Sequence, residues 1–169
     1  NSTGQNGSYW NLQELRALAD FVLDEIAPED DNATDVQLAE AHYYRGMAYL
    51  MQGENFVAVP TEEDGAPVAA RSLLQEAAGE FQQARSLGNE EVATWAAAAL
   101  ARTHRALGNT GEAASFAQTT LQEGGADFLY QRLYDGDNLD NAPHDYLVQR
   151  SLQEMQPLPR LDFLDPKYI

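Results

Sequence analysis

Apolar residues recur at helical spacing along most of the chain, and the gaps between the periodic stretches carry Gly, Pro and Asn. In residues 39–53 the period serves two faces at once. Leu38, Ala41, Ala48 and Tyr49 lie toward one side, and Val36, Tyr43, Met47 and Leu50 toward another. A helix apolar on two sides is covered on two sides, so this stretch is expected to be a central helix. Thr34 or Asp35 is placed to cap its start and Gly53 to end it. Gly46 lies inside it, where Gly costs about 1 kcal/mol relative to Ala. That position makes sense if a neighbouring helix comes close there.

The remaining stretches follow the same logic. Leu12, Leu15, Ala19, Val22 and Ile26 predict a first helix over about 10–26, stopped by Pro28, after a polar, Gly-rich and loose stretch 1–7. Residues 54–67 break the pattern with Pro60, Gly65, Pro67 and the acidic run Glu62, Glu63, Asp64, and read as an inserted loop. Leu73, Ala77, Phe81 and Ala84 predict a helix over 69–87. Val92, Trp95, Ala99, Leu100 and Leu107 predict one over 90–107, and Ala113, Ala117 and Leu121 one over 112–122. Beyond Gly124 and Gly125, a short helix is expected at 127–134, turns at 135–143 and a last helix at 143–155. The stretch 156–169 holds Pro157, Pro159 and Pro166 and cannot be a regular helix. Its Leu158, Leu161, Phe163, Leu164 and Tyr168 lead us to expect that it packs back on the helices.

Gly46, Ala48, Tyr49 and Gly53 resemble the small residue, the Ala-Tyr pair and the turn glycine of the first helix of a tetratricopeptide repeat. Ala77 and Ala113 stand thirty-six positions apart near the starts of two second helices, close to the repeat period of about thirty-four. The expected fold is all-α: one domain over 1–169, with tetratricopeptide-like antiparallel helix hairpins in 8–125 and an irregular, proline-containing segment in 126–169 packed on them. The first helix and the tail would cover the ends of this short stack.

Charge narrows the partners. With 10 Lys and Arg against 27 Asp and Glu, the net charge is −17. This argues against nucleic acid and against anionic lipid heads, both of which need a basic surface. Lys167 is the only Lys. Such usage is that of proteins from very salty surroundings, and also of acidic proteins from GC-rich genomes. The absence of Cys rules out disulfides and thiolate metal sites. No stretch is apolar over the roughly eighteen residues that a membrane helix needs. The chain opens at Asn1 rather than Met, which leads us to expect that a preceding segment has been removed.

A second resemblance rests on order. Leu38-Ala39-Glu40-Ala41, Arg45-Gly46, Ala48-Tyr49 and then Val59-Pro60 are similar to the N-terminal helical region of the SusD/RagB family. So are the Pro28 acidic loop, the Gly88, Gly108 and Gly124-Gly125 punctuation, and the ending 156–166. Those are outer-membrane nutrient-binding lipoproteins. The resemblance implies a tetratricopeptide-like scaffold and a non-enzymatic role in nutrient uptake, with an oligosaccharide or a peptide as the nutrient. It also implies a lipid anchor ahead of Asn1 at the outer membrane, and a SusC-like TonB-dependent transporter as partner. A generic tetratricopeptide adaptor for other proteins is the alternative.

Candidate chemistry is sparse. His42, His104 and His144 share no metal spacing, and His42 reads as a packed helix residue. No nucleophile and base pair and no phosphate loop is visible, so no cofactor is expected. Tyr9, Trp10, Tyr130 and Tyr134, with Tyr146, are the aromatics that could stack on a sugar ring, although aromatics at helical spacing also serve as core. Asp135, Asp137 and Asp140 place carboxylates at short spacing as calcium loops do, without the closing Glu, so a solvated acidic turn is the competing reading. Arg45 is expected to pair with a buried carboxylate, such as Glu40 or a C-terminal Asp. Arg45, Gly46, Tyr49 and Gly53 are the structural positions.

Overall fold

A computed structural model describes residues 2–62, 65–126 and 128, with side chains from residue 9 onward. The chain divides into two units, Asn1–Phe128 and Leu129–Ile169, and every described residue belongs to the first. The expected helices at 127–134 and 143–155, and the packed tail, lie outside the described residues.

The described chain is all-α, with antiparallel helix packing and one small hairpin. Helix α1 spans Ser2–Phe21 and runs into a π-helical turn, Val22–Ile26. Helix α2 spans Asp35–Asn55, strands β1 and β2 span Ala58–Pro60 and Pro67–Ala69, and α3 spans Ala70–Leu87. Helices α4, Glu90–Leu107, and α5, Thr110–Gly124, complete it. Each helix packs on its neighbours in sequence, most closely within the pairs α2–α3 and α4–α5, as in a stacked array of hairpins.

Local chemistry sets the ends. Thr34 caps α2 through a reciprocal box: its Oγ1 accepts from the Gln37 backbone N–H at 3.3 Å, and Gln37 Oε1 accepts from the Thr34 N–H at 2.9 Å. Asn89 caps α4 by accepting from the Val92 N–H at 3.0 Å. Gly108 closes α4 at φ +83°, a left-handed conformation that glycine adopts without strain. Gly125 follows α5 at φ +80°.

The core lies where α2, α3 and α4 meet. Leu50, Leu73, Ala77, Phe81, Ala96 and Leu100 are fully buried. The Tyr43 ring contacts those of Phe81 and Trp95, at centroid distances of 5.7 and 6.0 Å. Gly46 performs the expected task, because a Cβ there would meet Phe81 at 2.7 Å and Glu80 Cβ at 3.1 Å. Gly53 does not end α2, which continues to Asn55. A Cβ at Gly53 would stand 2.8 Å from Leu74 Cγ and 3.0 Å from the Ala70 carbonyl oxygen, so this glycine admits the start of α3. Thr94 and Thr103 of α4 and Thr120 of α5 are buried, and each hydroxyl donates to the carbonyl one turn back in its own helix, at 2.8–2.9 Å.

Two further expectations are corrected. The first helix begins at Ser2, not near Trp10, and its backbone is helical through the polar stretch expected to be loose. The insertion between α2 and α3 is an antiparallel hairpin pairing Ala58 with Ala69, Val59 with Val68 and Pro60 with Pro67. The prolines sit at strand ends, where a missing N–H is tolerated, and Val59 is buried.

Candidate functional site

Helix α1 is fastened to α2 by polar side chains rather than by an apolar seam alone. Gln13, Arg16 and Asp20 follow one another at helical spacing on α1, and Arg45, Tyr49 and Gln52 do so on α2. At one end, Gln13 Nε2 donates to the Pro60 carbonyl at 2.7 Å and to the Tyr9 hydroxyl at 3.0 Å. Gln13 Oε1 accepts from Gln52 Nε2 at 3.3 Å and from Arg16 Nε at 3.2 Å. Gln52 is fully buried, and its Oε1 has no hydrogen-bond partner among the described residues.

At the other end the charges gather. Arg16 pairs with Asp20 at 2.6 Å. Arg45 reaches Asp20 at 3.3 Å, Asp24 at 3.8 Å and, across to α3, Glu80 at 2.9 Å. The last contact is an ion pair rather than an aligned hydrogen bond. His42 Nδ1 lies 2.8 Å from Glu80 Oε2; an ionised carboxylate can only accept, so Nδ1 carries the hydrogen. Glu80 therefore joins two residues of α2, and Arg45 joins three helical segments. The partners of Arg45 among the described residues are Glu80, Asp20 and Asp24, not Glu40, because the packing of α3 brings Glu80 against this turn of α2; the C-terminal Asp also expected lies outside the described residues.

Burial acts on these groups. It opposes the charge on Arg45, but Glu80 and Asp20 outweigh it, and the guanidinium pKa is raised above its ordinary value. Burial raises the Tyr49 pKa, with Asp20 adding to the rise and Arg16 and Arg45 opposing it. The ion pairs are spent on one another, so the arrangement holds three helices in register.

Of the aromatics proposed for sugar stacking, Tyr9 and Trp10 lie together, with ring centroids 5.4 Å apart. Tyr9 is half-buried in an edge-to-face contact with Phe56, ring centroids 5.9 Å apart, whereas Trp10 is exposed. Tyr130, Tyr134 and Tyr146 lie outside the described residues, as do Asp135, Asp137 and Asp140. His104 stacks on Phe116 at 5.5 Å. Among the described residues no group of three His, Asp or Glu could hold a metal ion, and no helix is long and apolar enough to cross a membrane. The sequence reading missed the polar seam, although the helical spacing of Gln13, Arg16 and Asp20 on α1 was its signal.

Comparison of the chain with models of protein families, with curated proteins and with solved structures finds no match.

Proposed function

We propose that this protein is a non-enzymatic binding component of the SusD/RagB kind, working beside a SusC-like TonB-dependent outer-membrane transporter. In this reading a lipid anchor lies ahead of Asn1 and holds the helical scaffold at the outer membrane. The observation that carries the proposal is the pairing of α2 with α3: Gly46 admits Phe81, and the Val59-Pro60 step opens a hairpin between the two helices. Gly46 and Val59-Pro60 are among the positions on which the resemblance rests. Trp10, exposed beside Tyr9, is the candidate stacking surface for an oligosaccharide or a peptide side chain.

Affinity capture from outer membranes of the source cells tests the proposal. Recovery of a TonB-dependent barrel is the expected result. The repetition of hairpins in α2–α3 and α4–α5 equally suits a tetratricopeptide adaptor, and recovery of soluble partners in place of the barrel would favour that second reading. Direct ligand binding is read from Trp fluorescence during titration with oligosaccharides, where Trp10→Ala should abolish the response.

A further inference from the structure

Helix α1 carries its largest apolar side chains on the side away from its polar seam. Trp10, Leu18 and Phe21 are 67%, 58% and 55% exposed. Phe21 follows Trp10 by about three helical turns, with Leu18 on the flank, so the three form one row. Single exposed apolar residues are ordinary, but a row with Trp and Phe as anchors is the composition of an interface. α1 is also one of the two end helices of the described array and packs chiefly on α2. A stacked-helix array needs a polar outer face on its terminal helix unless something covers that face.

The charges state what covers it. Glu14 lies within the row, and Asp24 and Glu25 stand exposed at its end. Arg16, the only cation between residues 9 and 26, is turned inward onto Asp20 at 2.6 Å. The face therefore carries apolar anchors, and the exposed charges on it and at its end are all carboxylates. A second copy would set the same carboxylates against one another on a chain of net charge −17. Residues 129–169 hold four cations against seven carboxylates, so they supply no basic complement either.

We propose that the outer face of α1 docks a cationic amphipathic segment of a partner protein. The apolar side chains of the segment seat on Trp10, Leu18 and Phe21, and its Lys or Arg side chains meet Glu14 and Glu25. The surface stands on α1 alone, and so independently of whether the partner is a transporter or a soluble protein.

Calorimetry with the full chain at about 0.15 M salt tests this, using a synthetic helical peptide of Lys and Leu at heptad spacing and a Glu and Leu peptide of the same pattern. The cationic peptide should saturate a single site and the acidic one should not bind. Trp10→Ser with Phe21→Ser should weaken binding at least about tenfold. Glu14→Gln with Glu25→Gln should weaken it and flatten its salt dependence, while Leu121→Ser, an exposed leucine of α5, should leave it unchanged. Circular dichroism should show the same helix content in all variants, because the altered side chains are exposed. Equal affinity of wild type and the Trp10, Phe21 variant overturns the proposal by assigning binding to charge alone. Self-association that the same variant abolishes overturns it in favour of a second copy, and crosslinks between α1 and residues 129–169 overturn it in favour of the chain itself.

Discussion

The ring of Phe81 occupies the space that a side chain at Gly46 would need: a Cβ there would lie 2.7 Å from Phe81 Cε1 and 2.9 Å from Cδ1. Phe81 is fully buried and wedged against Tyr43, so it has little room to withdraw. Gly46→Ala should therefore destabilise by about 1–2 kcal/mol, overpacking outweighing the helical preference for Ala. Gly79, on the exposed side of α3, has nothing within 4 Å of its Cβ position. Gly79→Ala should stabilise by about 0.5–1 kcal/mol. Urea melts of the two variants give the opposite signs directly, and destabilisation by both would contradict this account of Gly46.

Arg45 and Glu80 form the second test. Both side chains are about five-sixths buried, at 16% and 15% exposure. Arg45→Ala should cost about 2–4 kcal/mol, because Glu80 and Asp20 both lose the guanidinium. Arg45→Met combined with Glu80→Leu should recover most of that loss, since replacing both partners leaves neither charge uncompensated. Thermal melts of the single and double variants measure the difference.

Tyr49 makes a prediction in alkali. Its folded pKa is raised, chiefly by burial, above an unfolded value near 10. The unfolded chain then loses this proton first, so the contribution of Tyr49 is intact below about pH 10 and is lost as pH rises through the folded pKa. Tyr49→Phe should reduce the fall in stability above about pH 10. Parallel unfolding curves of the two proteins over that range would exclude the effect.

The pair Arg102–Glu54 ties α4 to α2 with a 2.9 Å bond from Arg102 Nε. The arginine side chain is 46% exposed, so solvent screens the pair. Arg102→Gln should cost no more than about 1 kcal/mol, and the cost should shrink as salt is added. A double-mutant cycle with Glu54→Gln isolates the coupling.

Hydrogen exchange should separate α1 from the rest of the array. Its buried apolar residues are Leu12 and Ala19, whereas α3 and α4 hold most of the fully buried side chains. Amides of α1 should exchange before those of α3 and α4. Exchange of all helices at one common rate would mean that the polar seam binds as firmly as the apolar core.

The helices α3 and α4 were legible in the sequence almost to the residue, because each has one apolar face and a Gly or Asn at its border. The start of α1 was not legible, since residues 2–8 contain no apolar side chain to mark a period. Gly53 was read as a terminator because a terminating glycine and an approach glycine are the same residue in a sequence; only the position of Leu74 tells them apart. The partner of Arg45 was hidden for another reason. Glu80 lies on α3, and its nearness depends on how α2 and α3 cross, which no local pattern encodes. The hairpin escaped notice because Pro60 and Pro67 suggest irregular chain, whereas both sit at strand ends.

The three buried threonines have one more consequence. Their hydroxyls close on their own helices at 2.8–2.9 Å and ask nothing of the helix alongside. A neighbour could slide past them and lose no bond, so they satisfy the interior without addressing it. The address is written elsewhere, in a notch at residue 46 cut to the outline of one ring and in a carboxylate gripped from two sides by α2. Sequences that kept the threonines but lost that notch and that grip would still make helices, and the helices would no longer know where to stop.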